Sequence, residues 1–177
     1  MKTAKDIAII GVYTALMIGA QFALSAISGV ELVTVLFLSF CFCFGVTRGI
    51  VVANAFSLLR CFVFGFFPTV LILYLVYYNI FAIVFGLLGK WCKRQVGARE
   101  KVITVLTAIV MTVFFTALDD IITPLYYGYS LDAAKAYALA SVAAMIPQIF
   151  CVAISVTILF PVLVKAFRYN MIKKNFK

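Results

Sequence analysis

Six long apolar runs divide this 177-residue chain, at about 7–26, 31–46, 49–66, 69–89, 102–122 and 136–164. An α-helix crosses the hydrocarbon core of a bilayer in about 20 mostly apolar residues. In lipid it must also satisfy its own backbone N–H and C=O groups, which a helix does internally. Runs of this length leave only short connections and little chain for a soluble domain. The predicted fold is therefore an all-α integral membrane protein, a six-transmembrane-helix bundle forming a single domain over residues 1–177. Composition agrees: 66% of residues are of the AVILMFWYC class and 12% are charged, against about a quarter charged in a soluble domain. The first run is longer than the roughly 7–15 apolar residues of a signal peptide and shows no small-residue cleavage site, so it reads as a span.

Charge then orients the bundle. Counting six crossings puts both termini and the 2–3 and 4–5 connections on one side. Every Lys and Arg except Arg60 and Lys135 falls there: Lys2, Lys5, Arg48, Lys90, Lys93, Arg94, Arg99, Lys101, Lys165, Arg168 and the three C-terminal lysines. Basic residues mark the cytoplasmic side, so both termini are expected to be cytoplasmic. Glu31, Asp119, Asp120 and Asp132 fall toward the outer side, and Asp6 and Glu100 toward the inner one. The net charge of +9 is thus an orientation signal, and no nucleic-acid partner is expected.

The residue types exclude much chemistry. The chain has no histidine, hence no His-based metal site, general base or triad. Cys41-x-Cys43 is too tight for a CxxC pair, and the five cysteines read as small apolar side chains. No GxxxxGK[ST], GxSxG or HExxH occurs. No enzymatic activity, metal or cofactor is expected.

What remains polar is sparse. Gly11, Ala15, Gly19 and Ala23 form a stripe of small side chains along one face of the first run. Such a stripe lets another helix approach closely in lipid, either within the bundle or from a separate membrane subunit. Arg60 is the one basic residue inside a run, so it should meet a partner or a watery cavity. Glu31, Asp119 and Asp120 lie near the same side, and a pair with Arg60 is geometrically open. The fourth run carries Tyr74, Tyr78, Phe81 and Phe85 at helical spacing, with Tyr77 and Asn79 beside them. Asn54 and Ser57 on the third run, and Pro147 and Gln148 on the sixth, add polar groups. Each can serve a helix–helix hydrogen bond or a pocket. The 5–6 connection, about 120–135, contains Pro124 and Gly128, which should break the helix. Its Tyr126, Tyr127 and Tyr129 suit an interfacial belt or a lid.

Six short spans, cytoplasmic termini and the stretch Gly11-Val12-Tyr13-Thr14-Ala15, continued by Gly19 and Ala23, resemble the substrate-binding S component of energy-coupling factor transporters. The family's first-span motif is Ala-x-x-x-Ala, and glycine in its first place keeps the residue small. Glu31-Leu-Val-Thr34-Val-Leu, then Phe44-Gly45, then Arg60-Cys-Phe-Val-Phe-Gly65-Phe are also similar to vitamin-type members. The resemblance implies a vitamin or related micronutrient bound near the outer face, and a transmembrane scaffold subunit with two cytoplasmic ATPases as partners. It implies that the small-residue face of the first span docks on that scaffold.

The expected function is accordingly the solute-binding subunit of such an importer, a multi-pass protein of a bacterial cell membrane surrounded by lipid. The candidate cavity residues are Glu31, Thr34, Arg60, Tyr78, Asn79, Asp119, Asp120 and Gln148, and the docking candidates are Gly11, Ala15, Gly19 and Ala23. A self-sufficient secondary carrier or small channel is the alternative, although no inverted repeat relates the first three runs to the last three. An assembly protein without a cavity is a third class.

Overall fold

The computed structural model describes residues 4–27 and 30–175, with side chains through Arg168. Among these residues there are six α-helices and no strand: α1 Ala4–Leu24, α2 Val33–Phe44, α3 Val46–Phe64, α4 Pro68–Trp91, α5 Ala98–Tyr127 and α6 Leu131–Asn175. Five of them, all but α2, are long and apolar enough to cross a membrane.

The second run behaves differently from its expected span over 31–46. It folds into only 12 residues of helix, about 18 Å at 1.5 Å per residue, well short of a bilayer core. Gly45 ends it with φ +85 and ψ 177, a conformation open to glycine and strained for other residues. One residue later α3 begins. Ten of the twelve α2 residues are buried, including Phe37, Leu38, Phe40, Cys41, Phe42 and Cys43. A helix that is apolar on every side belongs in the interior, and α2 is enclosed by α1, α3, α4 and α6. Its aromatic rings spread the core outward. Phe37 stacks on Phe81, Phe40 packs on Tyr13, and Phe42 meets Phe160 edge-on at centroid distances of 5.4, 4.6 and 5.0 Å.

The long helices turn a different side outward. Val12, Phe62, Val110, Leu125, Leu139 and Val162 are all exposed large apolar side chains, a surface that suits hydrocarbon rather than water. Pro68 opens α4 at the first helical position, where its missing N–H costs nothing.

The connection expected over 120–135 is much shorter. Helix α5 continues through Pro124 to Tyr127, and α6 starts at Leu131. Pro124 has no N–H to offer the carbonyl one turn before it, so a single intrahelical bond is missing and the helix runs on for another turn. The actual stop is Gly128, left-handed at φ 63 and ψ 41. The N–H groups of Gly128 and Tyr129 both donate to the Pro124 carbonyl, a left-handed C-cap.

One end of the bundle is basic. Asp6 at the start of α1 pairs with Arg48 at 2.9 Å, and Phe167 of α6 packs on both Tyr13 and Phe44 at 5.7 and 5.5 Å. Lys90, Lys93, Arg94, Arg99 and Lys101 lie in the α4–α5 connection and its flanks, on the same end as the α2–α3 junction, since the Arg94 guanidinium lies beside Gly45.

Candidate functional site

At the opposite end, the last turns of α1 and α3, the start of α2 and inward faces of α4, α5 and α6 enclose a cavity of about 380 Å³. Of the residues expected to face a solute, Glu31, Arg60, Tyr78 and Gln148 line it.

Arg60 enters from α3, about one turn before its last residue Phe64. Its Nε donates to Gln21 Oε1 at 3.3 Å. Its guanidinium carbon sits 4.3 Å from the Tyr74 ring centroid and 4.9 Å from that of Phe64. Aromatic faces attract a cation most when water is excluded. Gln21 completes the bracket by donating from Nε2 to the Tyr74 hydroxyl at 3.2 Å. The Arg60–carboxylate pair left open by the sequence does not form: the salt bridges among the described residues are Arg48–Asp6 and Lys135–Asp132.

Glu31 lies just before α2. The Thr34 hydroxyl, one turn into the helix, donates to Glu31 Oε1, so Thr34 orients the carboxylate although it is not itself a wall of the cavity. Cys151 on α6 fixes the Glu31 backbone from the other side. Its thiol donates to the Glu31 carbonyl and accepts from the Glu31 N–H, both at 3.4 Å.

The aromatic walls come from α4 and α5. Tyr77 and Phe115 pack edge-to-face at 4.8 Å, and Tyr78 meets Tyr74, Phe56 and Phe37 at 5.1 to 5.5 Å. Helical spacing puts Tyr74, Tyr77 and Tyr78 on one side of α4, which is why the whole patch turns inward together. Thr112 on α5 and Gln148 on α6 add a hydroxyl and an amide.

A second cavity of about 260 Å³ adjoins the first and shares Phe115 and Gln148 with it. Asp119 lines this one. Its carboxylate accepts from the Thr123 hydroxyl and the Tyr137 hydroxyl, each at 2.7 Å. Asp120 lines neither cavity. Its Oδ2 accepts from Ser141 at 2.9 Å, and its Oδ1 is buried without a hydrogen-bond partner.

Asn79 lies elsewhere. Its amide and that of Asn54 exchange hydrogen bonds at 3.1 and 3.2 Å, and each also donates to the carbonyl one turn before it. This clamps α3 to α4 away from the cavity. Tyr126, Tyr127 and Tyr129 are exposed and pack on one another, Tyr126 edge-on to Tyr127 and Tyr127 stacked on Tyr129, and none lines either cavity.

The small-residue stripe faces out. Gly11, Ala15, Gly19 and Ala23 are all exposed, and a Cβ placed on Gly11 or Gly19 would meet nothing within 4 Å. Packing within this chain therefore does not explain it.

Gln21, Tyr74, Tyr77, Thr112 and Phe115 are cavity residues that the sequence reading left out of its candidate set. Gln21 carried the same signal as Gln148, an amide inside an apolar run, but which faces of α1 and α3 meet is not written locally. No protein-family model, no curated protein and no solved structure matches this chain.

Proposed function

We propose that this protein is the solute-binding membrane subunit of an energy-coupling factor importer for a vitamin or related micronutrient. In this reading it takes up solute near the outer face and docks on a transmembrane scaffold subunit served by two cytoplasmic ATPases. The observation that carries the reading is the first cavity. A guanidinium, a carboxylate, two amides and three tyrosines gather at one end of an otherwise apolar bundle. Polar and charged groups are costly at membrane depth, and a binding site gives a reason to hold several together. A cavity of about 380 Å³ falls in the size range of small-molecule sites.

Two further features support it. The outward stripe of Gly11, Ala15, Gly19 and Ala23 is a surface on which another membrane helix can approach closely. The basic end of the bundle supports an orientation with both termini cytoplasmic, which sets the cavity toward the outside. Six crossings include α2, whose shortness is tolerable because neighbouring helices, not lipid, surround it.

Binding needs no covalent step here. Arg60 offers a fixed positive charge, Glu31 an oriented carboxylate, and the tyrosines flat walls for a ring. Native mass spectrometry of the mildly extracted protein tests the reading by detecting a retained small molecule. Calorimetry with a vitamin panel is its complement, and no binder at micromolar concentration would sink it. Ala15→Trp should leave solute binding intact and abolish uptake in cells. Unchanged uptake in that variant would favour a self-sufficient carrier.

A further inference from the structure

Arg60 and Glu31 line one cavity with opposite charges, yet no salt bridge joins them among the described residues. We infer that the solute is an aromatic zwitterion, with its anionic group on the Arg60 guanidinium, its cationic nitrogen on the Glu31 carboxylate and its ring against Tyr77, Tyr78 and Phe115. This rests on the reading of the first cavity as a solute site.

The geometry holds the two charges ready and apart. Arg60 is tethered by one hydrogen bond, from Nε to Gln21, and by the rings of Tyr74 and Phe64. Among the described residues its two Nη nitrogens make no hydrogen bond. A guanidinium in that state presents a planar fork suited to a carboxylate or phosphate. Glu31 is tethered by the Thr34 hydroxyl on Oε1 and by the Cys151 thiol on its backbone. Its Oε2 accepts no hydrogen bond from a described residue, whereas Asp119 in the adjoining cavity already accepts two.

An unpaired charge at membrane depth is unfavourable. A solute bearing one charge would satisfy one of these groups and desolvate the other without compensation, which is worse than leaving it wet. A solute bearing both charges satisfies both. The Tyr77–Phe115 edge-to-face pair and Tyr78 leave apolar walls that suit a ring between the two polar ends.

The test uses the full-length wild-type protein in detergent or nanodiscs. A panel of water-soluble heteroaromatic vitamins and amino acids, grouped as zwitterions, anions, cations and neutral compounds, is titrated by calorimetry. The best binder is then compared with its carboxamide and its N-acyl derivative. The expected result is a zwitterion as best binder, with each blocked derivative weaker by about thirtyfold or more. In Arg60→Gln the carboxamide should bind as well as the parent acid, and in Glu31→Gln the N-acyl form as well as the parent amine. These within-variant comparisons do not depend on how much of a variant folds. A best binder with one charge or none overturns the inference while sparing the binding-subunit reading, as does a blocking penalty under about tenfold. No binder in any group overturns both.

Discussion

Asn54 and Asn79 illustrate how a residue's chemistry is set by what it faces. Both are amides inside apolar runs, and each could have served a pocket. Their reciprocal hydrogen bonds, with a backbone carbonyl for each spare N–H, satisfy them internally. Asn79→Leu should lower stability by about 0.5–2 kcal/mol, the range of interhelical hydrogen bonds in membranes, and leave solute affinity unchanged. The double variant Asn54→Leu with Asn79→Leu should recover part of that loss, because no amide is then left unpaired. Denaturant unfolding in micelles together with calorimetry checks both. Arg60 predicts the reverse pattern. Arg60→Met keeps the stem that packs on Tyr74 and Phe64 and removes a charge without a carboxylate partner. Its unfolding midpoint should equal or exceed that of the wild type, while solute binding weakens by about thirtyfold or more. A marked drop in midpoint would make Arg60 a structural residue. Arg60, Glu31, Tyr78 and Gln148 were legible as site candidates because a polar group in an apolar run must find company. Asn79 lines neither cavity and meets Asn54 instead, 25 residues away, since helical spacing within one run says nothing of which neighbour its face will meet.

At the scale of elements, run length and helix length come apart in α2. The apolar pattern over 31–46 is the same whether a segment crosses lipid or is enclosed by other helices. Gly45 cuts the helix, and burial on every side shows which case applies. The close neighbour of α2 is α4. A Cβ on Gly89 would overlap the Phe42 carbonyl oxygen, and one on Gly86 would come within 2.6 Å of Val46 Cγ2. Gly89→Ala must therefore push α4 away from α2, and a loss of about 1–3 kcal/mol is expected from overpacking. Gly19→Ala, whose Cβ meets nothing within 4 Å, should cost no stability. Thermal unfolding of the two alanine variants side by side checks that contrast. Pro124 and Gly128 were both read as helix breakers. Only the glycine ends it: the proline costs one backbone hydrogen bond, whereas Gly128 takes the left-handed conformation that caps α5.

The whole molecule is polarised along its long axis, with basic residues around the α2–α3 junction and the α4–α5 connection, and the cavity at the other end. If that axis is the membrane normal with the basic end inside, a membrane-impermeant maleimide should label Tyr129→Cys in intact cells and Lys93→Cys only after permeabilisation, each in a cysteine-free background. The opposite labelling would invert the orientation. The sequence by itself showed which solvent suits the chain and suggested the axis. A chain with 66% apolar and 12% charged residues suits hydrocarbon, and the spacing of lysines and arginines between apolar runs gathers them toward one end by simple counting. The tertiary structure alone decided which helix is central, that the Gly11–Ala23 stripe faces away from the bundle, and that Arg60 and Glu31 share a cavity without pairing. Those depend on which helix faces meet, and apolar faces of similar character along every run carry no local record of that choice.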